Sequence, residues 1–354
     1  MYPVDLRSDT VTQPTRAMRE AMAAAEVGDD VFGDDPTVIR LEGMARDIME
    51  KEASLFVPSG TMGNLIAVLT HCRRGDEAIL GDQSHTFLFE AGGIAALGGV
   101  HPRTVPTESD GTLSLSHLSA AIRNADDLHQ PPTRLICVEN THNMMGGLPL
   151  SGAYMADLAS FAKERGLLLH VDGARIFDAA AALDTPPSTL VRGAHSVTFC
   201  LSKGLAAPVG SVLCGAGNFI AQARRIRKQL GGGMRQVGVL AAAGITALET
   251  MRARVSEDHI RAKRLAAGLS DIEGIVVDPE IPATNMVFLR PTPNSGIRVD
   301  ALHRALEAQG IRTVQVSGNR IRLVVHYEID DEAVEFAIEQ FRRLFTAEKR
   351  RYLS

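Results

Sequence analysis

Residues 167–175 read Leu167-Leu168-Leu169-His170-Val171-Asp172-Gly173-Ala174-Arg175, and residues 197–204 read Val197-Thr198-Phe199-Cys200-Leu201-Ser202-Lys203-Gly204. Each is a short run of branched or aromatic side chains with glycine close behind. Such runs suit strands buried on both faces, as in a parallel sheet covered by helices. The first stops on a carboxylate and the second on a lysine. Ligands of parallel α/β sheets sit just outside the carboxyl ends of the strands, so Asp172 and Lys203 are expected to face one crevice.

A lysine and a carboxylate presented together match one chemistry well. The amine forms a Schiff base with pyridoxal 5'-phosphate, and the carboxylate keeps the pyridine nitrogen protonated. Each residue also has an ordinary reading. Asp-Gly is a common turn former, and a lysine beside glycine is often a solvated helix end. The surrounding sequence decides between the two.

Upstream, an apolar run at 53–57 is followed by Pro58-Ser59-Gly60-Thr61-Met62-Gly63-Asn64 and an apolar helix. A strand, a turn of small residues and a helix start make an anion seat, because free backbone N–H groups, hydroxyls and the positive helix end converge there. The turn lacks the ending of a Walker loop and the glycine spacing of a dinucleotide site. A strand at 78–81 leads to His85 at a helix start, and another at 135–140 leads to His142 and a Gly146-Gly147 turn. Two imidazoles therefore stand at strand carboxyl ends. The strand–helix alternation with short links predicts a mostly parallel sheet with helices on both faces.

Past Lys203, residues 207–215 read as a further strand. Residues 221–228 read as a basic helix, and its Arg224, Arg225, Arg227 and Lys228 are expected to form a solvated face. From about residue 253 the pattern changes. Strands at 275–277, 284–289, 312–316 and 321–327 mix with helices at 257–269, 299–309 and 332–349, a compact α+β unit. The expected division is a large domain over 1–252, N-terminal arm included, and a small C-terminal domain over 253–354. Arg322 sits among apolar neighbours in the latter and needs an anion, internal or external.

Composition narrows the class. The 354 residues carry a net charge of −5, 45% hydrophobic and 22% charged side chains, as in an ordinary globular protein without a nucleic-acid or anionic-membrane partner. No apolar run reaches the roughly eighteen residues of a membrane span. The charged start leaves no room for a secretory apolar region, which points to the cytoplasm. Four cysteines are scattered without a Cys-x-x-Cys pair, so core packing is expected and no metal. Residues 27–36, Val27-Gly28-Asp29-Asp30-Val31-Phe32-Gly33-Asp34-Asp35-Pro36, repeat Gly-Asp-Asp around one Phe. They are too patterned for a plain solvated loop, yet their composition names no mechanism.

The last motif is Gly231-Gly232-Gly233-Met234-Arg235-Gln236. Taken with residues 5–12 (Asp5-Leu6-Arg7-Ser8-Asp9-Thr10-Val11-Thr12), 27–36, 59–64, 139–143, 170–175 and 200–205, it resembles the low-specificity L-threonine aldolases. These are aspartate-aminotransferase-like, fold-type I pyridoxal phosphate enzymes. The resemblance implies that Lys203 binds the cofactor covalently and that Asp172 pairs with its pyridine nitrogen. Ser59, Gly60 and Thr61 would hold the phosphate, His85 would stack on the ring, and Arg175 would lie near the phenolic oxygen. Lys228 and Arg235 would reach the phosphate region of a neighbouring subunit in a homo-oligomer, a dimer of dimers. Ser8, Arg175 and Arg322 would bind the substrate carboxylate, and His85 and His142 its β-hydroxyl. The implied reaction is retro-aldol cleavage of L-threonine or L-allo-threonine to glycine and acetaldehyde, with a histidine or a water as base. Many relatives carry Tyr where this chain has Phe32. A β-eliminating lyase or an aminotransferase of the same fold would share Asp172 and Lys203; the two histidines and the N-terminal stretch favour the aldolase.

Overall fold

One sheet carries both of the quoted runs. Its strands are β1 (Ala53–Val57), β2 (Glu77–Gly81), β3 (His101–Val105), β4 (Thr133–Glu139), β5 (Leu168–Asp172), β6 (Ser196–Cys200) and β7 (Ser211–Gly215), in the spatial order β1-β7-β6-β5-β4-β2-β3. β7 runs antiparallel to both neighbours, and every other pairing is parallel. The mixed, mostly parallel sheet expected from the strand–helix rhythm is present in this computed structural model, which describes residues 4–316 and 319–346. β3 carried no signal in the sequence. It is an edge strand, His101-Pro102-Arg103-Thr104-Val105, with only Val105 buried.

Both faces of the sheet are covered. Successive strand residues point to opposite faces. Leu169 and Val171 of β5 join a core with Ile136, Val138, Val197 and Phe199. His170 and Asp172 face the other way, where the helix Gly60–His71 packs and its Asn64 meets both of them. The polar side chains of the site are thus delivered by the same alternation that builds the core.

The C-terminal unit holds β8 (Ile275–Val277), β9 (Met286–Pro291), β10 (Val314–Val316) and β11 (Arg320–Val324), antiparallel in the order β10-β11-β9-β8. Helices Val255–Ser270, Val299–Ala308 and Asp331–Leu344 cover it. The expected strand at 312–316 is split, because Ile311–Arg312 pairs instead with Val4–Asp5. Residues 347–349 of the expected last helix lie outside the described residues. The N-terminal arm joins both units. Val4 and Leu6 bury in the C-terminal core, whereas Met18, on the helix Arg16–Ala23, buries in the large one. Ser8 and Asp9 are thereby laid along the boundary.

The Gly-Asp-Asp repeats form a clasp with the basic helix. Asp35 caps the helix Pro36–Met49, accepting from the amides of Thr37 and Val38, and also accepts from Gly238 N at 2.8 Å. Asp30 pairs with Arg227 at 2.5 Å, and Asp29 with Arg235 at 2.9 Å. The expectation of a solvated basic face is therefore corrected for Arg227. It is 2% exposed, its other arm donating to the Phe56 carbonyl at 2.7 Å. A buried guanidinium needs such partners, and the acidic repeat supplies one.

Candidate active site

Residues just past β2, β4, β5 and β6 line a cavity of about 630 Å³, which Val314, Val316 and Arg322 of the C-terminal unit close from the other side. Lys203 follows β6 by three residues and is half-buried. Its amine makes no hydrogen bond or ion pair among the described residues; its carbonyl accepts from Thr12 Oγ1 at 3.3 Å. An unpaired lysine nitrogen in a cavity is set up for covalent chemistry rather than for packing. Asp172, at the end of β5, is almost fully buried. Its Oδ2 accepts from Asn64 Nδ2 at 2.9 Å and its Oδ1 from Ala174 N at 3.1 Å, which fixes the carboxylate plane.

Beside them lies the anion seat. Ser59 caps the helix Gly60–His71, its hydroxyl accepting from Met62 N. The amides of Gly60 and Thr61 belong to the first turn and have no intrahelical acceptor. A Cβ at Gly60 would stand 2.9 Å from Cys200 Sγ, so a larger residue there would have to push that thiol aside for the turn to close onto the end of β6.

His85 opens the short helix His85–Leu88 and lines the cavity. Its Nδ1 lies 3.0 Å from Glu90 Oε1, and its backbone N donates to Glu139 Oε2 at 2.7 Å. Burial alone would lower the imidazole pKa; the Glu90 hydrogen bond and the charge of Asp172 outweigh that and raise it. Burial likewise raises the Glu90 carboxyl. Glu139 Oε1 also accepts from Asn143 N at 2.9 Å, so one carboxylate clamps the two loops that carry His85 and Asn143. The other sequence-named histidine is elsewhere. His142 is 2% exposed, packs against Gly111 and is absent from the cavity wall. The next residue, Asn143, lines the cavity, and both ring nitrogens of His142 are buried without a hydrogen-bond partner among the described residues.

Arg175 and Arg322 both reach the cavity, with different partners. Arg175 is buried and donates to both oxygens of Asp9 at 2.7 Å. Arg322 donates to Asn143 Oδ1 at 2.8 Å and to the Arg7 carbonyl at 3.1 Å. Burial, reinforced by Arg175, lowers its pKa to about 10. With Asp9 the only carboxylate bonded to either among the described residues, the pair presents a net positive charge to an incoming anion. Ser8 lines the same wall. Asp9, Asn143, Glu90 and Glu139 were not singled out from sequence; each is recognisable only from the partner it meets. Lys228 and Arg235 are exposed and lie outside this cavity. Lys228 instead lines a hollow of about 220 Å³ with Arg224 and Arg225.

A free amine, a buried carboxylate, an anion seat and a flat imidazole at one set of strand ends fit pyridoxal phosphate. Comparison with known proteins points the same way. The sequence model of the beta-eliminating lyase family matches residues 5–292. The chain is 50% identical to low-specificity L-threonine aldolase 1 of Arabidopsis thaliana, covering 97% of this chain and 96% of that protein. It is 46% identical to the low specificity L-threonine aldolase of Escherichia coli O157:H7, over 93% and 95% of the two. The solved structure of a Leishmania major threonine aldolase superposes with a TM-score of 0.83 at 20% identity, covering 97% of this chain and 100% of that one. Shared motifs, shared fold and near-half identity along almost the full length agree, and the chain belongs to the beta-eliminating lyase family, among its low-specificity L-threonine aldolases.

Proposed function

We propose that the chain is a pyridoxal phosphate-dependent carbon–carbon lyase that cleaves L-threonine and L-allo-threonine to glycine and acetaldehyde. The observation that carries this reading is the unpaired amine of Lys203, set in one cavity with an arginine pair of net positive charge, while the buried Asp172 ends the neighbouring strand. When bound, pyridoxal phosphate supplies an electron sink for charge developing at the substrate Cα. Lys203 is the covalent anchor, and the turn Ser59-Gly60-Thr61 holds the phosphate. Arg322, with Ser8 beside it, takes the substrate carboxylate. That clamp sets which bond to Cα stands in line for cleavage, so orientation selects the reaction. His85 has Nδ1 engaged by Glu90 and offers Nε2 to the β-hydroxyl proton. His85 lines the cavity and acts as the base in this reading, directly or through a water; His142, buried with both ring nitrogens unpartnered among the described residues, is the alternative.

The reading extends to a homo-oligomer, a dimer of dimers, in which Lys228 and Arg235 reach the phosphate seat of a neighbouring subunit. The exposed basic hollow around Lys228, on a chain of net charge −5, supports it. The four cysteines are free and buried, in keeping with a cytoplasmic enzyme. No helix among the described residues is long and apolar enough to cross a membrane.

One experiment tests the reaction. The purified protein with cofactor is given L-threonine, and acetaldehyde is followed with a coupled reductase. Release of acetaldehyde, and loss of both the visible cofactor band and turnover in Lys203→Ala, is the expected result. A band without acetaldehyde overturns the reaction while keeping the cofactor, and lyase and aminotransferase assays would follow.

A further inference from the structure

Asp172 is the end of a longer assembly that the site description leaves unused. His71 Nε2 lies 2.7 Å from Ser196 Oγ, and Ser196 Oγ lies 2.8 Å from His170 Nδ1. His170 Nε2 lies 3.1 Å from Asn64 Oδ1, and Asn64 Nδ2 donates to Asp172 Oδ2 at 2.9 Å. The fold aligns these groups with little freedom. His170 stands opposite Ser196 in the β5–β6 register, and His170 and Asp172 share a face two residues apart. Asn64 and His71 are separated by about two turns on one side of the helix above them.

The hydrogen-bond directions follow from a single fact. Asn64 Nδ2 meets two carboxylates, Asp172 Oδ2 at 2.9 Å and Glu90 Oε1 at 2.8 Å. The amide nitrogen must face them, so Oδ1 faces His170 and can only accept. His170 therefore carries its hydrogen on Nε2. Burial lowers its pKa to about 4, keeping the ring neutral, so Nδ1 accepts from the Ser196 hydroxyl. Ser196 Oγ in turn accepts from Nε2 of His71, whose pKa burial lowers to about 3. Every donation points toward Asp172. Aligned bonds of this kind polarise one another. A strand that needed only to pack would carry an apolar side chain at 170, as it does at 169 and 171.

We propose that His71, Ser196, His170 and Asn64 are positioning residues that hold Asp172 as an oriented carboxylate against the cofactor's ring nitrogen, through one hydrogen-bond chain directed at it. The proposal rests on the reading of Asp172 as the partner of that nitrogen. The chain starts at the opposite end of the sheet from the active cavity. There His71 stacks on Phe219, with ring centroids 4.4 Å apart, in a separate cavity of about 470 Å³. The other titratable groups around Asp172 are His85 and Glu90 past β2 and Cys137 on β4, with Lys203 past β6 acting on His85. Of these, only Glu90 competes for a hydrogen of Asn64.

The test uses the holoenzyme with ¹⁵N at the cofactor ring nitrogen, whose NMR shift is followed against pH. Asp172→Asn should lower the protonation of that nitrogen. Ser196→Ala and His170→Phe should each lower its apparent pKa by about one unit or more. His170→Gln, whose amide can still donate to Asn64, should recover most of the difference. If Asp172→Asn moves the titration while Ser196→Ala and His170→Phe do not, the chain is scaffolding only and the proposal is overturned. If Asp172→Asn itself has no effect, the assignment of Asp172 fails, and the proposal with it. A second measurement needs no variant: ¹⁵N-histidine NMR of the cofactor-free protein should show His170 neutral with its hydrogen on Nε2. A hydrogen on Nδ1 would reverse the direction and overturn the proposal.

Discussion

Arg175 and Arg322 both act on the charge of the buried Asp9, but only Arg175 bonds to it. Arg175 gives Asp9 two parallel 2.7 Å bonds, and that charge more than offsets the burial opposing its protonation. Arg322 gives its bonds to an amide oxygen and a backbone carbonyl, both neutral, and its Nε has no partner among the described residues. Burial and the neighbouring Arg175 hold its pKa down at about 10. The family resemblance gave both residues to the substrate carboxylate. The geometry distinguishes them: a guanidinium whose charge is balanced by a carboxylate holds the arm in place, and one left with neutral partners is the more open to an arriving anion. Arg175 can still offer its remaining N–H groups to the cavity, but its charge is balanced by Asp9.

The sharpest way to break this contrast is to remove Arg175. Arg175→Met leaves Asp9 buried without its main partner, and a stability loss of about 3–5 kcal/mol is expected in chemical denaturation. Adding Asp9→Asn should restore part of it. A loss below about 1 kcal/mol would mean that the pair is not structural. Removing Arg322 should do the reverse. Arg322→Gln is expected to lower kcat/KM for L-threonine about a hundredfold, roughly 3 kcal/mol, mostly through KM and with the melting transition nearly unchanged. Equal damage to stability would erase the distinction.

The same balance of burial against a carboxylate sets the pH behaviour. Asp9 is held below its ordinary 3.8: burial opposes this, and the charges of Arg175, Lys203 and Arg322 outweigh it. A carboxyl lowered on folding stabilises above its unfolded pKa, so this contribution persists at neutral pH and fades only as pH falls below 3.8. His85 is the opposite case. Its pKa is raised above 6.5, so its contribution to stability is full below 6.5 and is lost as pH rises through the folded value. Because the base must be neutral, the acid limb of kcat/KM should lie above 6.5. Glu90→Gln should move that limb to lower pH, and an unmoved profile would remove His85 from the role. The smallest expected effect is at Asn143. Asn143→Ala takes one neutral acceptor from Arg322 and should cost about 1 kcal/mol, or about fivefold in kcat/KM.

Much of the site was legible because it is written in local signals. The apolar runs ending on Asp172 and on Lys203, the capped turn at Ser59 and the helix start at His85 each depend on a few consecutive residues. Period and capping are decided within that range, so they survive reading without a structure. His142 shows where such reading stops. It follows a strand as His85 does, yet it is buried and outside the cavity lining, whereas the next residue, Asn143, lies in it. The basic helix failed in a similar way: Arg227 looks solvated until Asp30, 197 residues away, is brought to it.

The sequence alone determined the strand–helix alternation, the two-face burial of β5 and β6, and the placing of Asp172 and Lys203 at neighbouring strand ends. Only the tertiary structure decided which charges are spent on one another. Arg175 meets Asp9 across 166 residues, Glu139 ties two loops together, and His170 finds Ser196 only through strand register. The reason is physical. A side chain's periodic position says which way it faces, but a buried charge or hydrogen bond is settled by the nearest partner in space, and that distance is not set until the elements have packed.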